Sequence, residues 1–129
     1  MFLDTSGIFA FLYKAETVHA ESVKCMLGGE GRFTHSYVIA ELFALANARK
    51  YPLMPVIEFV NLIYLHPNIE VFWVDEALNR KGIDLLISRA DKGYSLCDAV
   101  SFVLMGERTV FQALTTDHHF EQEGFQRLL

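Results

Sequence analysis

The chain has 129 residues, a hydrophobic content of 52% and a formal charge of −5. That length closes one core without disulfide or metal staples, so one domain over residues 1–129 is expected. The negative balance excludes broad electrostatic attraction to nucleic acid, which needs Lys and Arg against phosphates.

Short strand-like runs alternate with longer helical ones, the pattern of an α/β domain with a parallel sheet of four to five strands. Phe2-Leu3-Asp4 reads as the first strand, and Ser6 as the cap of a short helix carrying Ile8, Phe9, Phe11 and Leu12. An amphipathic helix from His19 to Leu27 is stopped by Gly28-Gly29. Arg32 to His35 predicts a second strand, after which Ser36 caps a long helix running through Leu45 toward Lys50. Pro52 and Pro55 mark a break and a fresh helical start, so Met54 to Leu65 is expected to be helical. Ile69 to Val74 has the aromatic and β-branched composition of a third strand, and Glu76 to Arg89 returns to helical spacing. Ser95 opens a helix through Met105, Val110 to Leu114 predicts a fourth strand, and Phe120 to Leu129 closes the domain.

Met1-Phe2-Leu3-Asp4 lacks the basic start of a leader, and no apolar run approaches the roughly 18–20 residues that cross a bilayer. A cytoplasmic protein with no membrane partner is expected. Cys25 and Cys97 read as small buried hydrophobes rather than disulfide or zinc partners. The apolar share is above the usual one for a globular domain, so part of the surface is expected to meet another protein.

On this layout Asp4 and Asp117 fall at or just past the carboxyl ends of two strands, and Glu41 and Asp98 in the first turns of two helices. In an open parallel sheet ligands bind in the crevice outside those strand ends, on the side where the following helices begin. The four acids can therefore face one pocket. Each interrupts or ends an apolar segment, and no Lys or Arg lies within a few residues of Asp4, Glu41 or Asp98. A buried, unpaired carboxylate is costly or takes up a proton, so a bound cation is the expected neutraliser. An oxygen-only ligand set suits Mg2+ or Mn2+ rather than zinc, and those ions serve phosphoryl chemistry.

Each acid also has an ordinary role open to it. Asp4 can cap the following helix, although Ser6 is available for that task. Glu41 can be an exposed acid stabilised by the helix dipole. Ser95-x-x-Asp98 has the spacing of a capping box, while Ser101 stands one turn after Asp98 on the same face. Asp117 can be a turn residue, with Thr115 and Thr116 beside it; His118 and His119 invite a general-base or metal role, but read more readily as polar residues at a helix start. The basic residues Arg49-Lys50, Arg80-Lys81, Arg89 with Lys92, and Arg108 look like ordinary solvated helix faces.

Taken together, Asp4-Thr5-Ser6, Glu41 in its apolar helix, Ser95-Leu96-Cys97-Asp98-Ala99-Val100-Ser101-Phe102 and Thr115-Thr116-Asp117-His118-His119-Phe120 resemble the PIN domain, in order and across nearly the whole chain. The resemblance implies a three-layer α/β/α fold and a metal-dependent ribonuclease. Asp4, Glu41, Asp98 and Asp117 match the family's acidic quartet, with Thr5, Ser6, Ser95, Ser101 and Thr115 as supporting polar residues. Asp4 and Asp98 are implied as direct ligands of Mg2+ or Mn2+, with Glu41 and Asp117 binding through water or orienting the ion. A small, dimer-prone member is similar to the toxin half of a VapBC-type toxin–antitoxin pair, which implies an RNA substrate, a cognate antitoxin with a basic segment, and a homodimer. Two alternatives stand beside this. One is a receiver-type phosphoacceptor module with Asp75 as acceptor, although Asp4 has no adjacent acid and no Lys follows the final strands. The other is a non-catalytic interaction protein of the same fold.

Overall fold

The computed structural model describes residues 1–28 and 31–129, so the expected stop at Gly29 lies outside the described residues. Among these residues five strands, β1 (Phe2–Leu3), β2 (Arg32–His35), β3 (Ile69–Phe72), β4 (Gln112–Leu114) and β5 (Gln126–Arg127), form one sheet in the order β3-β2-β1-β4-β5. Every pairing is parallel, with Phe2 opposite both Phe33 and Ala113, and Leu3 opposite Leu114. Among the described residues seven helices complete the three-layer α/β/α fold: α1 (Thr5–Leu12), α2 (His19–Leu27), α3 (Ser36–Ala48), α4 (Met54–Leu65), α5 (Glu76–Ser88), α6 (Leu96–Glu107) and α7 (His119–Gln122).

The chain runs outward from β1 through β2 to β3, then returns to place β4 on the other side of β1. The switch point of this winding is the seam between β1 and β4, where an open α/β sheet leaves its ligand crevice. A receiver-type domain has the different order 2-1-3-4-5. In this sheet β2, not β1, neighbours β3, and Asp75 is the exposed N-cap of α5, its Oδ1 accepting from Leu78 N–H at 2.8 Å.

Phe2 and Leu3 are fully buried, and Phe2 packs on Phe33 and Phe120 while Phe102 meets Phe120 edge-on at 4.9 Å. This aromatic core lies under the carboxyl end of the sheet and fixes α6 and α7 against β1. On the other flank Gly7 lets α1 ride directly on β4: a Cβ at that position would lie 2.0 Å from the Leu114 carbonyl oxygen.

Several boundaries differ from the sequence expectation for identifiable reasons. Asp4, not Ser6, caps α1, its Oδ2 accepting from Ser6 N–H at 3.3 Å. His35, not Ser36, caps α3, with Nδ1 accepting from Val38 N–H at 3.3 Å; Ser36 Oγ accepts instead from Val74 N–H. β3 stops at Phe72 because its partner β2 ends at His35, opposite Phe72. Glu41 lies one turn deeper in α3 than the first turn, and the closing segment contains both α7 and the edge strand β5.

Candidate active site

At the β1–β4 seam a cavity of about 350 Å3 is lined by all four acids, Asp4, Glu41, Asp98 and Asp117. They come from four places in the fold: the end of β1, the second turn of α3, the first turn of α6 and the turn after β4. Thr5, Ser6, Ser95 and His119 complete its polar wall.

Each carboxylate is fastened by hydrogen bonds. Asp4 Oδ2 accepts from Thr115 Oγ1 at 2.7 Å and from Ser6 Oγ at 2.8 Å, besides the Ser6 N–H. Glu41 Oε2 accepts from Thr5 Oγ1 at 2.5 Å. Asp98 Oδ2 accepts from Ser95 N–H at 2.8 Å while Ser95 Oγ accepts from Asp98 N–H at 3.0 Å, so the capping box is real and its acid still faces the cavity. Asp117 Oδ1 accepts from His119 N–H at 2.9 Å, and Asp117 N–H donates to Thr115 Oγ1 at 2.9 Å. Thr115 thus ties the Asp4 and Asp117 loops together. Four anchored carboxylates thus line one space.

The electrostatics follow from burial and from the charges of the neighbouring acids. Asp4 is 5% exposed, and its carboxyl is raised to about 6, chiefly by burial; the hydroxyls of Thr115 and Ser6 pull it down, and the charge of Asp98 pushes it further up. Burial likewise raises Asp98, helped by the charges of Asp117 and Glu41 against the pull of Ser95. The Cys97 thiol is pushed up by burial and by Glu41 and Asp4, so it stays protonated beside the acids. Among the described residues, none of the Lys and Arg ion pairs reaches the four acids: Arg49 goes to Glu16, Arg80 to Glu76, Lys81 to Glu107, Arg89 to Glu123 and Arg108 to Glu70. These are the same basic residues that the sequence presents as helix-face charges, and they are held by acids elsewhere. A mutually repelling set of oriented oxygens fits a hard divalent ion, which would keep the whole set ionised.

Two residues take places other than those the sequence favoured. Ser101 is buried away from the cavity lining, with Oγ donating to the Cys97 carbonyl at 2.8 Å and meeting His35 Nε2 at 2.8 Å. It steadies the first turn of α6 and the cap of α3 instead of touching the site. His119, read as an ordinary helix-start residue, enters the cavity wall. Its ring packs edge-on against Tyr94 at 5.1 Å, with Nδ1 3.3 Å from Asp117 Oδ1 and 3.9 Å from Asp98 Oδ2. The available signal was its position two residues after Asp117, in the turn that leaves the sheet beside β1.

Fold and site together define a small α/β domain with an acidic cavity at the switch point of a parallel sheet. Residues 1–125 match the PIN domain, and the chain belongs to that family. Its fold is that of VapC20 from Mycobacterium tuberculosis, described as a sarcin–ricin loop cleaving toxin: the TM-score is 0.87 at 24% identity, over 97% of this chain and 95% of that one. No curated protein matches the sequence.

Proposed function

We propose that this chain is an Mg2+- or Mn2+-dependent endoribonuclease that hydrolyses RNA phosphodiester bonds in the cytoplasm, as the toxin of a VapBC-type pair. The observation that carries the reading is the convergence of Asp4, Glu41, Asp98 and Asp117 on one cavity with no Lys or Arg pair among the described residues to neutralise them. Membership of the PIN family and the shared fold with a sarcin–ricin loop cleaving toxin support it.

Asp4 and Asp98 would hold the ion directly, and Glu41 and Asp117 through water or by orienting it. When bound, the ion supplies a more acidic water and neutralises charge on the phosphate. The chain's own part is positioning. Thr115 and Ser6 fix the Asp4 carboxylate, Thr5 fixes Glu41, and the capping box fixes Asp98. Preset oxygens spare the site a reorganisation at the moment of reaction. The charge of −5 supplies no general attraction for RNA, so recognition rests on local contacts, and a basic antitoxin segment complements the acidic cavity. A homodimer is proposed from the apolar surface left open, including Leu65 at 87% and Trp73 at 70% exposure.

Purified protein is expected to cleave structured RNA in Mn2+, to stop on chelation, and to lose at least a hundredfold in rate in Asp4→Asn and Asp98→Asn with circular dichroism unchanged. Equal cleavage by wild type and both variants would identify a contaminant. Metal binding without cleavage of any RNA would favour a non-catalytic interaction protein.

A further inference from the structure

We infer that His119 is a metal ligand: its ring nitrogen Nδ1 joins Asp117 and Asp98 in the donor set, which makes the site prefer Mn2+ to Mg2+. The inference rests on the cavity being a divalent-ion site and deepens that reading by naming its donor chemistry.

Three observations carry it. His119 Nδ1 is a buried atom with no hydrogen-bond partner among the described residues, although the rest of the ring is anchored edge-on by Tyr94. Buried polar atoms in folded proteins are nearly always paired, so an orphan at a cavity wall marks a partner of another kind. That atom stands 3.3 Å from Asp117 Oδ1 and 3.9 Å from Asp98 Oδ2, yet the hydrogen bond to Asp117 Oδ1 comes from the backbone N–H of His119. The ring nitrogen is therefore held at ion-pair distance from two carboxylates without a hydrogen bond to either. Finally, donor atoms of Asp117, His118 and His119 all lie within 4.8 Å of one another, a spacing at which one ion can reach each of them. Tyr94 leaves His119 buried enough to be rigid, whereas His118 is 65% exposed and free to turn to solvent.

A cation between oxygen donors and an imidazole is no longer in an oxygen-only site. Mg2+ takes oxygen ligands and keeps its waters, whereas Mn2+, the first ion of the transition-metal affinity series, accepts a nitrogen donor beside carboxylate oxygens. The Asp98–Asp117–His119 wall is thus the part of the cavity that discriminates between the two ions.

Pulsed electron paramagnetic resonance of the Mn2+-loaded full chain tests this directly. Wild type is expected to show nitrogen modulation from a coordinated imidazole, absent in His119→Asn and retained in His118→Asn. Calorimetric titration should show His119→Asn weakening Mn2+ binding by about tenfold or more with Mg2+ binding nearly unchanged, on the scale of lost metal-site partners. Mn2+ that binds wild type without nitrogen modulation, or modulation that survives His119→Asn, overturns the assignment and leaves the nuclease reading standing. A chain that binds no Mn2+ at all overturns both.

Discussion

His35 shows how a side chain outside the cavity can govern the site's frame. It is fully buried, and Val38 N–H donates to its Nδ1, so the proton sits on Nε2 and is donated to Ser101 Oγ, whose own hydroxyl continues to the Cys97 carbonyl. The chain links the cap of α3, which carries Glu41, to the first turn of α6, which carries Asp98. Burial among Phe2, Tyr37 and Ser101 lowers the imidazole to about 4. An unfolded His titrates near 6.5, so between about 6.5 and 4 the unfolded chain binds a proton that the folded one refuses. Stability from this group is complete above about pH 6.5, falls as the pH drops through that window, and stops falling near 4. Urea unfolding at pH 7.5 and pH 5.0 is expected to show wild type losing about 2 kcal/mol more than His35→Gln over that interval. Parallel losses in the two proteins would mean that the ring is protonated without penalty. Nothing local to this histidine points to its partner, because Ser101 lies 66 residues away and their contact exists only once α6 docks beside β2.

Among the elements, the fit of α1 on β4 decides whether the acids converge at all. Asp4 precedes α1 and Thr115 follows β4, and their hydrogen bond requires the helix to lie on the strand at Gly7. Backbone cannot yield as a flexible side chain does, so Gly7→Ala is expected to exceed the usual overpacking cost and lower stability by roughly 3 kcal/mol or more. Gly106, inside α6, has nothing within 4 Å of where an added methyl would sit, so Gly106→Ala should be neutral or gain about 0.5–1 kcal/mol from helix propensity. Denaturant midpoints of the two variants check the contrast, and similar midpoints would refute the close-packing argument. The long elements were legible because their apolar periodicity is strong: α2, β2 and α4 occupy the spans that the sequence predicts. The capping box at Ser95 was legible too, but the cap of α1 was not, since Asp4 and Ser6 offer the same local chemistry, and only the neighbouring strand decides which oxygen turns inward. The position of Glu41 was read from helix start signals that fall at Ser36, yet its partner Thr5 lies on α1, a contact no local pattern encodes. The four acids were recognisable together, whereas a metal or general-base role for His119 was open in the sequence but outweighed by the ordinary appearance of histidines at a helix start.

For the whole molecule, the cavity is a place where function opposes stability. Arg49, Arg80, Lys81, Arg89 and Arg108 are engaged with other acids, so none of those ion pairs offsets the charge gathered around Asp4. Asn is as good an N-cap as Asp and can accept the same hydroxyls through its carbonyl. Asp4→Asn therefore keeps the α1 cap while removing one buried charge from a repelling set. In metal-free buffer at pH 7.5 the variant should be more stable than wild type by about 0.5–2 kcal/mol, several degrees in Tm, the scale of stabilisation released when a functional site is neutralised. Adding Mn2+ should reverse the order. An ion at 100 times its Kd adds about 2.7 kcal/mol to a protein that binds it only when folded, and Asp4→Asn should gain far less. Thermal melts of both proteins with and without Mn2+ give four numbers that must cross. If the metal-free variant melts below wild type, Asp4 is a structural cap and its charge is not a cost; if Mn2+ raises both equally, the ion sits where Asp4 does not reach.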